Sequence, residues 1–308
     1  MKLSWQADGV PSLPFDLPEG FVAFAGRDPG WARWIPGVPR LLGDLLEEWG
    51  LVVDGPATHG RTALVVPVDA GGERAVLKVS RPHDDAQHEA LGLQSWHGVG
   101  AVRLLRADPH RQAMLLERLH PQDLTIVPVL DACRIVAGLY QRLHVPAPPR
   151  LVPLTRHVQK WIDALADLPR HAPVPHRIVE QAVHLGRGFM DDAGSVGQLI
   201  HADLHYGNVL AADREPWLAI DPQPISGDPH WEVAPLLSNR WDEAVATGDV
   251  RAAVRRRFHT VIDSAGLDEN RARDWIVVRE AVNAMWAVEV GDADRVTRAV
   301  TIIKAVQD

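Results

Sequence analysis

Between Leu199 and Glu232 the chain reads LIHADLHYGNVLAADREPWLAIDPQPISGDPHWE, and no other stretch gathers as many potential metal ligands and acid/base groups. His201, Asp203 and His205 alternate with apolar or small residues. Asn208 follows Asp203 by five positions, and the apolar run Trp217 to Ile220 ends on Asp221. Two short apolar runs, opening at Val209 and at Trp217, flank the polar turn Ala211 to Pro216, the pattern of a β-hairpin. Such a hairpin brings Asn208, at the start of one strand, beside Asp221, at the end of the other. Both are hard oxygen donors of the kind Mg²⁺ takes when phosphates and water complete its shell. Asp203, just upstream, is then placed to receive a proton from a substrate hydroxyl. Phosphoryl transfer is the chemistry this pattern predicts.

The same order occurs in the kinase template: a catalytic Asp, an Asn five residues on, and a metal-binding Asp after a hairpin. Here D-L-H-Y-G-N fills the first part, and Asp221-Pro222-Gln223 stands where protein kinases carry Asp-Phe-Gly. With these residues in view the chain resembles the aminoglycoside phosphotransferase family, and within it the streptomycin 6-kinase and hydroxyurea-resistance kinase group. HADLHYGNVL, WLAIDP and GDPHWEVAPLL carry the resemblance, which extends from about Trp31 to the C terminus. It implies a protein kinase-like bilobal fold of the α+β class, with an antiparallel-sheet N-lobe and a mostly helical C-lobe. It also implies ATP or GTP as co-substrate, Mg²⁺ as cofactor, and an antibiotic hydroxyl as acceptor, with streptomycin ranked first. Ala202 precedes Asp203 where many protein kinases have the Arg that senses activation-loop phosphorylation, so constitutive activity is expected. His201 reads as a support for the loop, and Asp228 in G-D-P as a structural anchor or a plain turn residue.

Upstream, Lys78 in A-V-L-K-V places an ammonium on an otherwise apolar strand, where an unpaired charge is strongly disfavoured. The α/β-phosphates and Glu89, on a helix expected from Asp84 to His97, are its proposed partners. Asp84, Asp85 and His88 compete with Glu89 for that role, and a Lys reaching out to water from an edge strand is the plainer alternative. The turn from Gly55 to Thr62 is the candidate cover for the ATP phosphates, with Gly60 as a contact, although it lacks the full G-x-G-x-x-G pattern. Glu117 and Leu119 lie where a kinase-like chain crosses between lobes and its backbone meets the adenine edge. That division gives an N-terminal lobe over 1–118 and a C-terminal lobe over 119–308.

The elements that must position these groups follow from periodicity. Residues 1 to 29, rich in Pro, Gly and aromatics, read as an extended lead-in, and Gly30 to Gly50 as a region with a short helix. An antiparallel meander follows over Leu51 to Val53, Ala63 to Val68 and Arg74 to Val79, and two more strands, Val102 to Leu105 and Met114 to Leu116, flank the turn Asp108-Pro109. Beyond it the period turns helical over Val129 to His144, Leu154 to Leu168, Pro175 to Asp191, Trp231 to Leu237, Val250 to Ala265 and Arg271 to Val290. Arg251, Arg255, Arg256 and Arg257 read as a solvated face. Acids beside tryptophans, namely Asp242, Glu243, Glu280, Asn283, Trp286 and Glu289, are the candidate wall for a polyhydroxylated cation such as a guanidino-cyclitol. Solvated helix acids are the competing view.

At 308 residues and 46% hydrophobic, the chain has material for one large or two ordinary domains. A net charge of −8 argues against a nucleic-acid surface. Cys133 is the single cysteine, which excludes an internal disulfide and fits a cytoplasmic setting. Neither a signal peptide nor a membrane span is expected, and the chain is expected to be a monomer or weak dimer. Three alternatives stay open. One is a metal-dependent hydrolase using His201, Asp203, His205 and Asp221, and another is a non-catalytic nucleotide-binding module. The third is a kinase of a different acceptor, such as a nucleoside or peptide antibiotic, hydroxyurea or a metabolite.

Overall fold

A computed structural model describes residues 13, 15–82 and 86–308. The chain divides into two units: the described residues up to Ala90 with Arg103–Arg118, and Leu91–Val102 with Leu119–Asp308.

The first unit opens with α1 (Glu19–Val22), a 3₁₀ turn (Ala23–Gly26), α2 (Pro29–Trp34), a second 3₁₀ turn (Ile35–Gly37) and α3 (Val38–Trp49). The extended lead-in expected over 1–29 is therefore corrected for residues 19–26, where the chain is helical and buries Phe21 and Phe24. One-turn helices are too short to show a period. Asp28 caps α2 through Gly30 and Trp31 N–H, prolines sit in the first turns of α2 and α3, and Gly50 closes α3 at φ 64°. These are the expected start and stop signals.

Six strands then form one antiparallel sheet: β1 (Val52–Val53), β2 (Thr58–His59), β3 (Ala63–Asp69), β4 (Arg74–Ser80), β5 (Leu104–Asp108) and β6 (Ala113–Glu117). The order is β1-β3-β4-β6-β5, with β2 also on β3. Inward-facing Leu64, Val66, Val68, Leu77 and Val79 pack against Phe21, Trp31, Leu42 and Leu45 from the helices. The strand expected over Val102 to Leu105 is displaced: Val102 groups with the second unit, donating its N–H to Ala219, and β5 begins at Leu104. Helix α4 (Ala86–Trp96) follows β4, and the division between units falls within it. Asp84 and Asp85, named as competitors of Glu89, lie outside the described residues.

The second unit holds α5 (Val129–Leu143), β7 (Val145–Pro146), α6 (Leu154–Ala166), α7 (His176–Asp191) and β8 (Gln198–Ile200). The hairpin β9 (Val209–Ala211) and β10 (Trp217–Ala219) comes next, then β11 (Ile225–Gly227), and β11-β8-β7 make a small antiparallel sheet absent from the periodicity. A 3₁₀ turn (Pro229–Val233) runs into α8 (Ala234–Ser238), replacing the single helix expected from Trp231 to Leu237. Then come α9 (Trp241–Ala246), α10 (Val250–Ala265), α11 (Glu269–Glu289) and α12 (Ala293–Gln307). Helix α12 was not anticipated; Val296, Ala299, Ile303 and Val306 give it a buried stripe. Arg257 departs from the solvated face expected for its neighbours. It is buried and donates to the carbonyls of Asn239 and Arg240. Among the described residues no helix is long and apolar enough to cross a membrane.

Candidate functional site

In the second unit the site grows out of β8. The chain leaves Ile200, turns through His201–His205 and makes a 3₁₀ turn, Tyr206–Asn208, capped by the His205 side chain accepting from Gly207 N–H. The β9–β10 hairpin pairs Val209 with Ala219, and Ile220 N–H donates to the Asn208 carbonyl at 2.9 Å. The hairpin thus seats Asn208 and Asp221 at the same end. Asn208 is buried, and its side-chain amide donates to the Asp203 carbonyl at 2.9 Å, tying the candidate catalytic loop to the candidate metal ligand.

Two non-glycine residues here have a left-handed backbone, Ala202 at φ 64° and Asp221 at φ 56°. Such a conformation costs about 1–3 kcal/mol and persists only when surrounding contacts hold it. At Ala202 those contacts are on both sides of the residue. Its N–H donates to Glu232 Oε1 at 2.8 Å, and its carbonyl accepts from the Arg279 guanidinium at 3.1 Å. Glu232 is 1% exposed, and its other oxygen meets His144 Nε2 at 2.6 Å, while Tyr140 donates to its backbone carbonyl. Arg279 also donates to Trp231 O at 2.9 Å and lies 4.6 Å from the centre of the Trp231 ring. Burial lowers its pKa, against the opposing pull of the Asp203, Glu280 and Glu232 carboxylates.

His201 is fully buried under Trp96, whose ring stacks at 6.1 Å. Its Nε2 faces the Ile220 carbonyl at 2.9 Å and its Nδ1 accepts the N–H of Asp203 at 3.3 Å, while burial lowers its pKa, so the ring is neutral. With both nitrogens engaged, His201 braces the loop and is no metal ligand, which removes one member of the hydrolase set. Among the described residues no group of three His, Cys, Asp or Glu side chains gathers as metal ligands. Asp228 is buried and caps the following turn, accepting from His230 N–H, His230 Nδ1, Trp275 Nε1 and Arg271 Nε. Burial works to raise its pKa, but the His230 and Trp275 hydrogen bonds outweigh it and hold it low.

In the first unit, β4 places Lys78 opposite Val65 of β3 and Met114 of β6. Lys78 is 7% exposed and Glu89 5%, and Nζ meets Glu89 Oε1 at 2.6 Å. The loop after β1 leads to β2 and a tight turn, in which Gly60 N–H donates to the Ala63 carbonyl. No atom lies within 4 Å of the place a Gly60 Cβ would occupy, so that turn faces open space. Glu117 ends β6 and accepts from Arg103 N–H at 2.6 Å. Leu119, half-buried, is the first residue of the second unit's longer segment.

The candidate acceptor wall divides. Glu280 is buried, takes a hydrogen bond from Asn283 at 3.1 Å, and has its pKa raised by burial to about 7. Trp286 is 37% exposed and stands edge-on to Trp161, which in turn stacks on Trp231. Glu289 is exposed at the end of α11. Asp242 and Glu243 are exposed on the first turn of α9, with Glu243 engaged by Arg240. Sequence reasoning gave no role to Glu232, Arg279 or Trp161. The only signal at Arg279 was a charged pair following the apolar run Ile276 to Val278.

The sequence profile described as aminoglycoside/hydroxyurea antibiotic resistance kinase matches residues 48–291. Among curated relatives, a streptomycin 6-kinase of Streptomyces glaucescens is 40% identical over 95% of this chain and 97% of its own length. A hydroxyurea phosphotransferase of Kitasatospora aureofaciens is 37% identical over 95% of this chain and 85% of its own. Among solved structures, a thermostable mutant of aminoglycoside phosphotransferase APH(4)-Ia, in ternary complex with ADP and hygromycin B, is 17% identical. It superposes with a TM-score of 0.55 over 86% of this chain and 97% of that one, a likeness of fold.

Proposed function

Because the chain belongs to the aminoglycoside/hydroxyurea antibiotic resistance kinase family, we propose that it transfers the γ-phosphoryl group of ATP to a hydroxyl of a small-molecule antibiotic. A streptomycin-like aminoglycoside, phosphorylated at its 6-hydroxyl, is the acceptor the reading ranks first. The observation that carries it is the tie from Asn208 to the Asp203 carbonyl, with Asp221 at the same end of the hairpin, in a chain 40% identical to a streptomycin 6-kinase.

Asp203 orients the acceptor hydroxyl and takes its proton as the oxygen bonds to the γ-phosphorus. The bond from that phosphorus to the bridging oxygen breaks, and ADP leaves with the electron pair. Lys78, held by Glu89, neutralises charge on the non-transferred phosphates. The backbone around Gly60 faces the phosphates, and backbone groups at Glu117 and Leu119 meet the adenine. The donor set at the hairpin fits Mg²⁺: the Asn208 amide nitrogen is engaged by Asp203, leaving its oxygen as a hard donor, and Asp221 supplies a carboxylate. When bound there, Mg²⁺ supplies charge neutralisation on the phosphates. Little covalent work falls to the protein, so positioning and electrostatics dominate. The reading assigns the reaction to the cytoplasm, the compartment that supplies ATP.

On the acceptor side, Trp286 with Trp161 offers an aromatic surface, and Glu289 and Asp242 offer exposed carboxylates for a cationic sugar. Glu280, being buried, tunes the wall through Asn283. The test is nucleotide-dependent phosphorylation across streptomycin, other aminoglycosides, nucleoside antibiotics and hydroxyurea, followed by product mass. Phosphorylated streptomycin supports the reading, and phosphorylation of another member replaces the acceptor. Failure of every acceptor refutes the resistance role.

A further inference from the structure

We propose that the N-terminal segment Glu19–Trp34 is a positioning element for the nucleotide loop, holding it through His59 near its tip and Arg81 at its base. The inference rests on the kinase reading of that loop. The segment lies ahead of the 48–291 stretch matched by the family profile, and every contact involved lies within the first unit.

At the tip, His59 belongs to the two-residue strand β2, exposed to solvent and paired to Leu64 of β3. Its ring nevertheless lies edge-on to Phe24, centroids 5.1 Å apart at 88°, and 6.2 Å from Phe21. Those phenylalanines are buried in a cluster with Trp31 and Trp34. At the base, Arg81 N–H donates to the Thr62 carbonyl at 2.9 Å. The Arg81 guanidinium bonds Asp28 at 3.0 Å and lies 5.0 Å from the Trp31 ring centre.

Two glycines make room for these contacts. A Cβ on Gly20 would stand 2.6 Å from His59 Nε2, and one on Gly30 would stand 2.6 Å from the Arg81 guanidinium. The segment therefore approaches both ends of the loop at positions where a side chain would push them away. A short strand on one neighbour is weakly held by itself. An aromatic surface that fixes His59 before nucleotide arrives reduces the ordering cost of binding.

The test is calorimetric titration of ADP without acceptor, with melting temperature measured alongside. Gly20→Ala is expected to lower ADP affinity about three- to tenfold, the scale of one lost aromatic edge contact. Its melting temperature should stay close to that of the wild type, because the helix propensity gained with Ala offsets the lost ring contact. A merely structural role would move the two together. His59→Ala should show the same loss, and His59→Phe, which keeps the ring edge, should restore affinity to within about twofold. Unchanged ADP affinity in His59→Ala and Gly20→Ala would overturn the inference, as would loss in both with no rescue by His59→Phe. A wild-type protein that binds no ADP would overturn the kinase reading beneath it.

Discussion

Glu232 is the residue on which the geometry of the Asp203 loop turns, and Glu232→Gln is the perturbation that isolates it. The side chain keeps its shape and loses its charge. In the native protein one oxygen accepts the Ala202 N–H at 2.8 Å and the other meets His144 at 2.6 Å, with the group 1% exposed. A hydrogen bond to a charged partner contributes about 1.5–3 kcal/mol. Ala202 sits at φ 64°, a conformation the steric clash of its Cβ makes unfavourable by about 1–2 kcal/mol. The two figures are comparable, so weakening the first lets the second relax and moves the adjacent Asp203 carboxylate. A misplacement near 1 Å costs about a hundredfold in rate. We expect kcat to fall about ten- to a hundredfold, with KM for ATP within about twofold, measured by ADP release at saturating acceptor. Adding Ala202→Gly should restore part of kcat, since glycine takes positive φ without the Cβ clash. Wild-type kcat in Glu232→Gln, or a loss confined to KM, would refute the reasoning.

Further predictions concern the other buried charges and the wall. Lys78→Met should abolish most activity and also lower stability by about 3–5 kcal/mol, because it breaks a buried ion pair by removing the Lys78 ammonium from beside the Glu89 carboxylate; a melt and an activity assay check both. Glu280 is expected to make stability fall as pH rises from about 4.5 to about 7, since its folded pKa lies above its unfolded one. Its contribution is fully present below the unfolded pKa and lost through the folded pKa. Glu280→Gln should remove that slope and stabilise the protein above pH 7 by on the order of 3 kcal/mol, and unfolding curves at pH 5 and 8 read the difference. Glu289→Ala should raise KM for a cationic acceptor far more than for ATP, and equal effects would remove it from the wall. Freshly expressed protein should be active without prior phosphorylation, because Ala202 stands where a phosphate-sensing Arg would, and inert protein would contradict this.

Asp203, Asn208 and Asp221 were legible because their order is local: a turn and one hairpin fix which residues end up together. Lys78 was legible because a charge in an apolar strand demands a partner, and the partner lay one helix away. The clamp on Ala202 was not, since Glu232 and Arg279 are 30 and 77 residues from it and no periodicity links them. The segment around Phe21 and Phe24 was missed for a different reason. Its helices last one turn, and prolines and glycines that look like loop punctuation are there N-terminal signals and close contacts. Helix α12 escaped because exposed charges obscure its stripe. Arg257 was misjudged because three surface arginines beside it suggested one shared face, whereas helical rotation turns it inward to the Asn239 and Arg240 carbonyls.

The most direct measurement is phosphorylation of streptomycin by the wild-type protein and by Asp203→Asn, with ADP affinity measured for both. The kinase reading predicts phosphorylated product from wild type and a loss of about a hundred- to ten-thousandfold in Asp203→Asn, the range for removing a general base, at unchanged ADP affinity. Equal turnover by the two proteins would contradict the role of Asp203.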